Sequence, residues 1–241
     1  MDESRDVEIS VVVPVYNEQA NLPILIPKLV EVFHRPGSLY EMIFVDDGSS
    51  DGSRRILKEM ASRYSSLHIL AFKKNCGLSA ALFAGMKDAR GKKIVTLDSD
   101  LQNDPADIPR LLEKLTEYDM ATGWRQKRED PWLKRISSKI ANSIRNRLGG
   151  EDIQDSACTL RAFKRECIKE IKFFNGMHRF LSTLIRMEGY RVIEVPVSHH
   201  PRMFGKSKYN IRNRMWRAFI DLLAVKWMKS RHIHYEIEER I

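Results

Sequence analysis

Four short apolar runs, separated by segments with helical periodicity, dominate the first half of this 241-residue chain. The runs have the length and β-branched composition of strands, and they lie at 9–15, 42–45, 68–72 and 93–97. The helical segments lie at 19–34, 51–65, 77–90 and 105–117, and a weaker strand follows at 120–123. Strands that alternate with helices predict an α/β fold in which helices flank a largely parallel sheet.

The composition bounds the size of the fold and the nature of its partners. With 43% hydrophobic residues the chain can bury a sizeable core, and we expect one domain over 1–209. We expect an amphipathic helix and a small acidic tail, with Glu236, Glu238 and Glu239, over 210–241. Lys and Arg number 41 against 32 Asp and Glu, so the formal net charge of +9 indicates an anionic partner. Three cysteines without paired spacing predict neither a disulfide framework nor a zinc site, and they favour a reducing compartment.

The apolar stretches of the chain are short. The first residues are polar and acidic, unlike the basic and then apolar order of a secretory signal, so we expect a cytoplasmic protein. Stretches such as Ala218 to Val225 fall well short of the roughly 18 residues that span a bilayer. Any contact with a membrane should therefore be peripheral.

Two carboxylates, Asp98 and Asp100, directly follow the run at 93–97. At a strand end both side chains can turn into one crevice and share a hard divalent cation, to which Gln102 can add a neutral oxygen. The alternative is that these aspartates cap turns or face solvent, since aspartate is common in turns. The pair alone does not decide between the two interpretations.

Two further loops carry groups that suit a nucleoside. Pro14, Tyr16 and Glu18 lie at the end of the first run, where a ring can contact the face of a nucleobase and a carboxylate can accept its N–H groups. Asp47 and Gly48 follow the second run. Taken alone, this second loop is more simply explained as a tight turn before a helix, and Tyr16 is equally compatible with the core.

Taken together, these loops resemble the family-2 glycosyltransferases of the GT-A fold, in particular the polyprenyl-phosphate (dolichol-phosphate) sugar transferases. The matching stretches follow the order and spacing of the family's motifs at 12–18, 44–52, 74–81 and 96–105. The resemblance covers residues 9 to about 125, with weaker matches as far as Tyr209. It implies a Rossmann-like GT-A catalytic domain over 1–209.

The resemblance also implies an inverting transferase that moves a sugar from a nucleoside-diphosphate donor, GDP- or UDP-linked, to a lipid phosphate. The donor contacts that it implies are Pro14, Tyr16, Glu18, Asp47, Asn75, Gly77, Asp98 and Arg179. Asp98, Asp100 and Gln102 would hold Mg²⁺ or Mn²⁺ on the diphosphate, where the departing nucleotide develops charge. Implied contacts to the acceptor phosphate are Arg202, Lys206 and Ser207.

Asp155 is the third catalytic candidate beside Asp98 and Asp100. It occupies the place of the family's Asp-Phe-Arg-Leu segment, but Ser156 follows it and the arginine lies at Arg161. A phosphate acceptor with a second pKa of about 6 is largely deprotonated near neutral pH. We therefore expect Asp155 to position other groups rather than to act as an obligatory general base.

Residues 211–229 have the periodicity of a helix with one broad apolar face. That face comprises Met215, Trp216, Phe219, Ile220, Leu222, Leu223 and Trp227, with Arg214, Arg217 and Asp221 opposite. Such a helix can lie in the interface of an anionic bilayer, or it can pack on the catalytic core or on a partner subunit. We expect peripheral association with the membrane; a homo-oligomer or a membrane subunit is left open.

Other classes of protein fit the patterns less well. No G-x-G-x-x-G follows the first run, which disfavours a dehydrogenase, and Gly91-Lys92-Lys93 lacks the Ser or Thr of a P-loop. A phosphohydrolase would leave the first two loops without a role. The alternatives are a family-2 transferase with a non-lipid acceptor, or a non-enzymatic module for anionic lipid or nucleic acid; the transferase itself needs no nucleic acid.

Overall fold

The computed structural model describes residues 7–34, 39–125, 153–156, 158–204, 211–233 and 239, and only the backbone over 211–218. The strands are β1 Ile9–Val15, β2 Tyr40–Asp46, β3 Leu67–Ala71, β4 Lys93–Thr96, β5 Met120–Trp124, β6 Arg161–Lys164 and β7 Val192–Pro196. The helices are α1 Leu22–Phe33, α2 Ser53–Ala61, α3 Leu78–Asp88, α4 Ile108–Lys114, α5 Leu181–Met187 and α6 Ile211–Ser230. Short 3-10 turns lie at Pro105–Asp107, Arg165–Ile168 and Met177–Arg179.

Within the described residues the strands form one seven-stranded sheet in the order β3-β2-β1-β4-β6-β5-β7. The first four strands along the chain pair in parallel, whereas β6 runs antiparallel between β4 and β5. Because β7 pairs in parallel with β5, only β6 opposes the common strand direction. The carboxyl ends of six strands therefore meet at one edge of the sheet, which they share with the beginning of β6.

The core lies on both faces of the sheet, because neighbouring residues of a strand point to opposite sides. In β1, Val11, Val13 and Val15 pack toward α1, α2 and α4, whereas Val12 packs toward α3 and α5. Strand β2 divides in the same way. Burial on both faces explains why these strands read as continuous apolar runs rather than as alternating patterns.

The predicted α/β class and the flanking helices are confirmed. All five predicted strands and five predicted helices are present, with bounds that move by a few residues. The structure adds β6, β7 and α5, which the sequence patterns did not indicate, and it makes the sheet mixed because β6 is antiparallel.

Helix α6 packs on the layer formed by α5 and the preceding turn through Leu222 and Val225, which are buried. Asp221, predicted to lie opposite the apolar face, instead points toward the core and pairs with Arg179 at 2.9 Å. Phe219, along with Ile220, Leu223 and Trp227, remains exposed on the outer side. Of the helices described, none is both long enough and apolar enough to cross a bilayer.

Candidate active site

The loops singled out in the sequence meet at the carboxyl-terminal edge of the sheet, where ligands bind in open α/β folds. The loop after β1 is tied to the loop after β2 by the Asn17 amide, which accepts the backbone N–H of Ser50 at 2.7 Å. Asn17 has a positive φ of 56°, a conformation that asparagine tolerates better than most residues. The backbone N–H of Glu18 donates to Ser53 Oγ at 2.8 Å, so that the Glu18 carboxylate is held at this edge.

Asp47 organises the loop that precedes α3. Its carboxylate accepts the backbone N–H groups of Cys76 at 2.6 Å and Gly77 at 2.9 Å, and the Asn75 amide at 2.9 Å. Burial raises the pKa of Asp47, although these two backbone hydrogen bonds oppose the increase. Three of the predicted donor contacts, Asp47, Asn75 and Gly77, thus form one hydrogen-bonded unit.

Gly48 allows this unit to close. Its φ is +68°, and a Cβ atom built on it would lie 2.5 Å from the backbone carbon of Lys74. A side chain at this position would therefore collide with main chain, which cannot move aside as a flexible side chain can. The glycine lets the loop after β2 touch the loop before α3 directly.

Asp98 and Asp100 lie just beyond β4, as predicted. Ser99, between them, donates from Oγ to the Pro14 carbonyl at 2.9 Å, which joins this loop to β1. Leu101 has a φ of +60°, an unfavourable conformation for a leucine and typical of functional loops. The strained turn brings the backbone N–H of Gln102 to Asp100 Oδ1 at 3.2 Å.

The pKa of Asp98 reflects its burial and the proximity of Asp100. Burial, with the negative charge of Asp100 as the second cause, raises the pKa of Asp98 to about 6. A hydrogen bond with Thr159 and the charges of Arg161 and Arg125 act in the opposite direction. A cation bound beside Asp98 would offset this effect, because it favours the ionised carboxylate.

Arg202 places a cation beside Asp100 and Glu18. Its Nη2 donates to Asp100 Oδ2 at 2.6 Å, and its Nη1 lies 3.8 Å from Glu18 Oε1. The arginine thereby links the loop after β7 to the loops after β4 and β1, across 102 residues of sequence. It was predicted as an acceptor contact, and it lies against predicted donor and metal groups.

Asp155 is almost fully buried, and its carboxylate is hydrogen-bonded to Arg125. Arg125 holds it with three hydrogen bonds, from Nε to Oδ2 at 2.7 Å, from Nη2 to Oδ1 at 2.9 Å and from the backbone N–H to Oδ2 at 3.2 Å. The backbone N–H of Asp155 in turn donates to Glu194 at 2.8 Å. This bidentate geometry favours the positioning role for Asp155 over proton abstraction from a substrate.

The remaining predicted residues are distributed unevenly. Arg179 bonds Asp221 of α6 and lies beside the turn at Met177–Arg179. Arg161, at the beginning of β6, is the largest fully buried side chain and donates to the carbonyls of Ser156 and His178. Lys206 and Ser207 lie outside the described residues.

Arg125 belongs to the site but was not predicted from the sequence. Its position gave a signal, because it follows the predicted strand at 120–123 after one intervening residue, Trp124. The strand-end rule that selected Asp98 applies equally to a cation at the end of β5.

The donor atoms at this edge fit a divalent cation that also binds substrate phosphates. Among the residues that the structure describes, no group of three or more His, Cys, Asp or Glu side chains could hold a metal ion. Mg²⁺ in phosphate-transferring sites usually takes one or two carboxylates and completes its shell with water and substrate oxygens. Asp98, Asp100 and the amide of Gln102 match that need.

The family model for glycosyl transferase family 2 matches residues 10–172, which is more than half of the chain. The chain belongs to glycosyl transferase family 2. The matched range includes all the loops described above except those after β6. Membership of this family makes the protein a glycosyltransferase.

Solved structures share the GT-A fold with this family-2 chain at low sequence identity. A mannosyltransferase from Pyrobaculum calidifontis, solved with GDP-Man and Mn²⁺, has 18% identity and a TM-score of 0.64, covering 97% of this chain and 67% of that one. TarS 1–349 from S. aureus, solved with UDP-GlcNAc, has 15% identity and a TM-score of 0.66, covering 92% and 67%. Glucosyl-3-phosphoglycerate synthase from Mycobacterium tuberculosis, solved with Mg²⁺ and UDP, has 17% identity and a TM-score of 0.69, covering 95% and 81%.

Proposed function

We propose that this glycosyltransferase moves a sugar from a GDP- or UDP-linked donor to a lipid phosphate at the cytoplasmic membrane face, with inversion at the anomeric carbon. The observation that carries the donor half is the Asp98–Asp100 pair, which lies where the Pro14–Glu18 and Asp47 loops meet. Within this edge Arg202 already pairs with Asp100 and lies near Glu18. The structural neighbours solved with GDP-Man and Mn²⁺ or with UDP and Mg²⁺ support the same donor class and cofactor.

In this proposal Pro14, Tyr16 and Glu18 surround the base, and the Asp47 unit, with Asn75 and Gly77, fixes the loop beside the nucleoside. Asp98, Asp100 and Gln102 would hold Mg²⁺ or Mn²⁺. When bound, the metal supplies Lewis-acid stabilisation of the charge on the departing nucleoside diphosphate. Arg202 then has to leave Asp100, which frees its guanidinium for a phosphate.

The acceptor half rests on the surroundings of Arg202. Met203 and Phe204 follow it, with 60% and 43% of their surfaces exposed, so that a cation suited to phosphate stands beside apolar side chains suited to a lipid chain. Lys206 and Ser207 would extend this contact. The phosphate needs little help to ionise, since its second pKa lies at about 6. Asp155 accordingly serves by holding Arg125, and Arg179 contributes to the donor side.

We further propose that residues 1–209 form the catalytic domain and that 210–241 carry the membrane-facing helix and an acidic tail. The exposed side chains Phe219, Ile220, Leu223 and Trp227 of α6, flanked by Lys226 and Lys229, support peripheral association. Each basic residue near an anionic surface would contribute about 1 kcal/mol to binding.

Thermal unfolding with nucleotides tests the donor half. The purified chain is melted with GDP, UDP and their sugar conjugates, with and without Mn²⁺, beside Asp98→Asn and the exposed control Asp88→Asn. Ligand at about 100 times its dissociation constant adds about 2.7 kcal/mol of stability. We expect a metal-dependent shift with one base that Asp98→Asn loses and Asp88→Asn keeps. The absence of a shift with all of these nucleotides would overturn the proposed donor class.

The acceptor is tested with the nucleotide sugar that binds. Transfer of labelled sugar is measured to a polyprenyl phosphate in detergent and, in parallel, to 3-phosphoglycerate as a soluble phosphate acceptor. We expect product only with the lipid. Transfer only to the soluble acceptor would overturn the lipid half and leave the donor half intact.

A further inference from the structure

An apolar groove of about 770 Å³ runs along α3, on the side of the sheet that also carries α5 and α6. We call it the Phe83 groove. Phe83 stands against Phe173 with ring centroids 4.4 Å apart, and Phe174 continues the aromatic wall. The volume falls within the range of small-molecule and cofactor sites, about 300–1,000 Å³. Phe83 itself is 36% exposed, which is unusual for an aromatic side chain inside a helix layer.

Charge is distributed asymmetrically along the groove. Lys87 lies in the last turn of α3 with its Nζ 5.8 Å from the Phe83 ring, and Arg165 reaches the Ala89 carbonyl just beyond the helix. Lys169 completes this cationic end. Among the described residues that line the groove there is no carboxylate. The other end opens at Cys76, beside the loop held by Asp47.

These two properties select an amphiphile with one negative group. The eleven residues of α3 extend about 16 Å, so a chain lying along Phe83 and Phe173 would reach from the cationic end to the catalytic edge. Its headgroup would then sit at the end remote from Asp98 and Asp100. This orientation is opposite to that of the proposed acceptor, whose phosphate must lie at the catalytic edge.

The position of the groove points to a bilayer as the source of the ligand. The exposed apolar side chains of α6, such as Phe219 and Trp227, lie on the same side of the sheet as Phe83. In the part of the chain that the structure describes, helices α1, α2 and α4 on the opposite side expose no large apolar side chain. A membrane on the α3 and α6 side would face the groove.

We infer that the Phe83 groove binds one anionic phospholipid of the bilayer, separate from the sugar acceptor. The phosphate of the lipid pairs with Lys87, Arg165 and Lys169, and one acyl chain lies along Phe83 and Phe173. This site does not depend on the transfer reaction, so it can fail while the proposed function stands.

Vesicle flotation of the full chain tests the headgroup contact. The probe is phosphatidylcholine vesicles with and without phosphatidylglycerol, and the variant is Lys87→Gln with Lys169→Gln. The matched control, Lys58→Gln with Lys114→Gln, removes two exposed lysines from helix ends on the opposite side. We expect the groove variant to bind phosphatidylglycerol vesicles about 30-fold more weakly than the wild type, from two lysines at about 1 kcal/mol each. The control should retain most of the binding, because its lysines lie farther than a Debye length from the surface.

Fluorescence quenching tests the chain contact. Phe83→Trp places a reporter in the groove, and its added emission is followed with phosphatidylglycerol brominated on the acyl chains. Because Trp227 of α6 also faces the proposed membrane, the added emission is taken as the difference between Phe83→Trp and the wild type, and we expect this difference to be quenched. Equal weakening in the groove and control variants, absent quenching, or no binding of the wild type would each overturn the inference. Nucleotide and Mn²⁺ stabilisation of the groove variant, expected to be unchanged, keeps this result distinct from failure of the transferase.

Discussion

Glu41 joins the amino-terminal ends of three strands, at the edge of the sheet opposite the candidate active site. Its side chain is 3% exposed. The Glu41 carboxylate accepts a hydrogen bond from Ser10 Oγ of β1 at 2.6 Å. It also accepts three from Arg90, whose backbone N–H, Nε and Nη2 donate at 2.8, 2.9 and 2.7 Å. Ser10 in turn accepts the backbone N–H of Gly91, just before β4.

The substitution Glu41→Gln should lower the free energy of unfolding by an amount that follows from this geometry. One carboxylate oxygen becomes an amide that donates, and it faces the guanidinium of Arg90, which also donates. Two charge-assisted hydrogen bonds are lost, each worth about 1.5–3 kcal/mol, and the 61% exposed Arg90 side chain regains part of this in water. We expect a loss of about 3 kcal/mol in the free energy of unfolding, or about 6–12 °C in the melting temperature for a chain of this size.

The pH dependence of this loss has a defined sign. Burial acts to raise the pKa of Glu41, but the hydrogen bonds from Ser10 and Arg90 and the charge of Arg90 outweigh it, so that the pKa falls below 4.5. A carboxyl with a lowered folded-state pKa stabilises the protein above its unfolded pKa and loses that contribution as the pH falls through the folded value. The difference between wild type and Glu41→Gln should therefore be constant near neutral pH and should shrink below pH 4.5.

The control is the same substitution in an exposed pair. Glu59 bonds Arg55 at 2.6 Å on α2, with the two side chains 51% and 71% exposed, and Glu59→Gln should cost only about 0.3–0.5 kcal/mol. Urea unfolding followed by circular dichroism measures both variants. If Glu41→Gln cost no more than Glu59→Gln, the reasoning from buried hydrogen bonds would be wrong. Both variants should keep the nucleotide-dependent stabilisation while folded.

Three further substitutions address the site itself. Gly48→Ala should abolish nucleotide stabilisation in thermal melts, because its Cβ meets the Lys74 backbone, whereas Gly189→Ala, with a φ of +86° and open space around its Cβ, should only reduce stability by about 1 kcal/mol. Arg202→Gln should strengthen Mn²⁺ binding without nucleotide by about tenfold in calorimetry, since the metal no longer competes with a charge-assisted hydrogen bond worth about 1.5 kcal/mol, and it should slow transfer. Unchanged Mn²⁺ affinity would contradict this. Asp155→Asn should lower the free energy of unfolding by about 3 kcal/mol by stranding the charge of Arg125, and an inactive variant as stable as wild type would instead indicate a general base.

The parts of the fold that the sequence predicts are those with strong local signals. The strands from β1 to β4 are mostly apolar and are followed by turn residues, so their existence and order follow from short windows. Strand β6 has four residues, of which two are charged, and only its pairing with β4 and β5 makes it a strand. Such a segment carries no local period to detect.

Helix α6 shows where periodicity is insufficient. The sequence predicts its bounds closely, but the apolar residues cover so broad a face that the buried side is not defined by them. The ion pair of Asp221 with Arg179 and the burial of Leu222 and Val225 select that side. Tertiary contacts thus assign Asp221 to the interior, against its predicted place opposite the apolar face.

In the candidate site, the sequence predicts the positions of the carboxylates better than those of the cations. Asp47, Asp98 and Asp100 follow parallel strands at once, so the rule that ligands bind at carboxyl ends brings them together without any knowledge of contacts. Arg161 violates that rule because it begins an antiparallel strand, and its place is set by the register that pairs it with Thr96 of β4. Arg202 reaches Asp100 because the segment after β7 returns to the loop after β4, where His199 forms a bridge with Asn103 and the backbone N–H of His200 donates to the Gln102 carbonyl. Local spacing therefore predicts where the carboxylates lie. The positions of the arginines that pair with them depend on tertiary contacts between distant segments, which no short stretch of this sequence encodes.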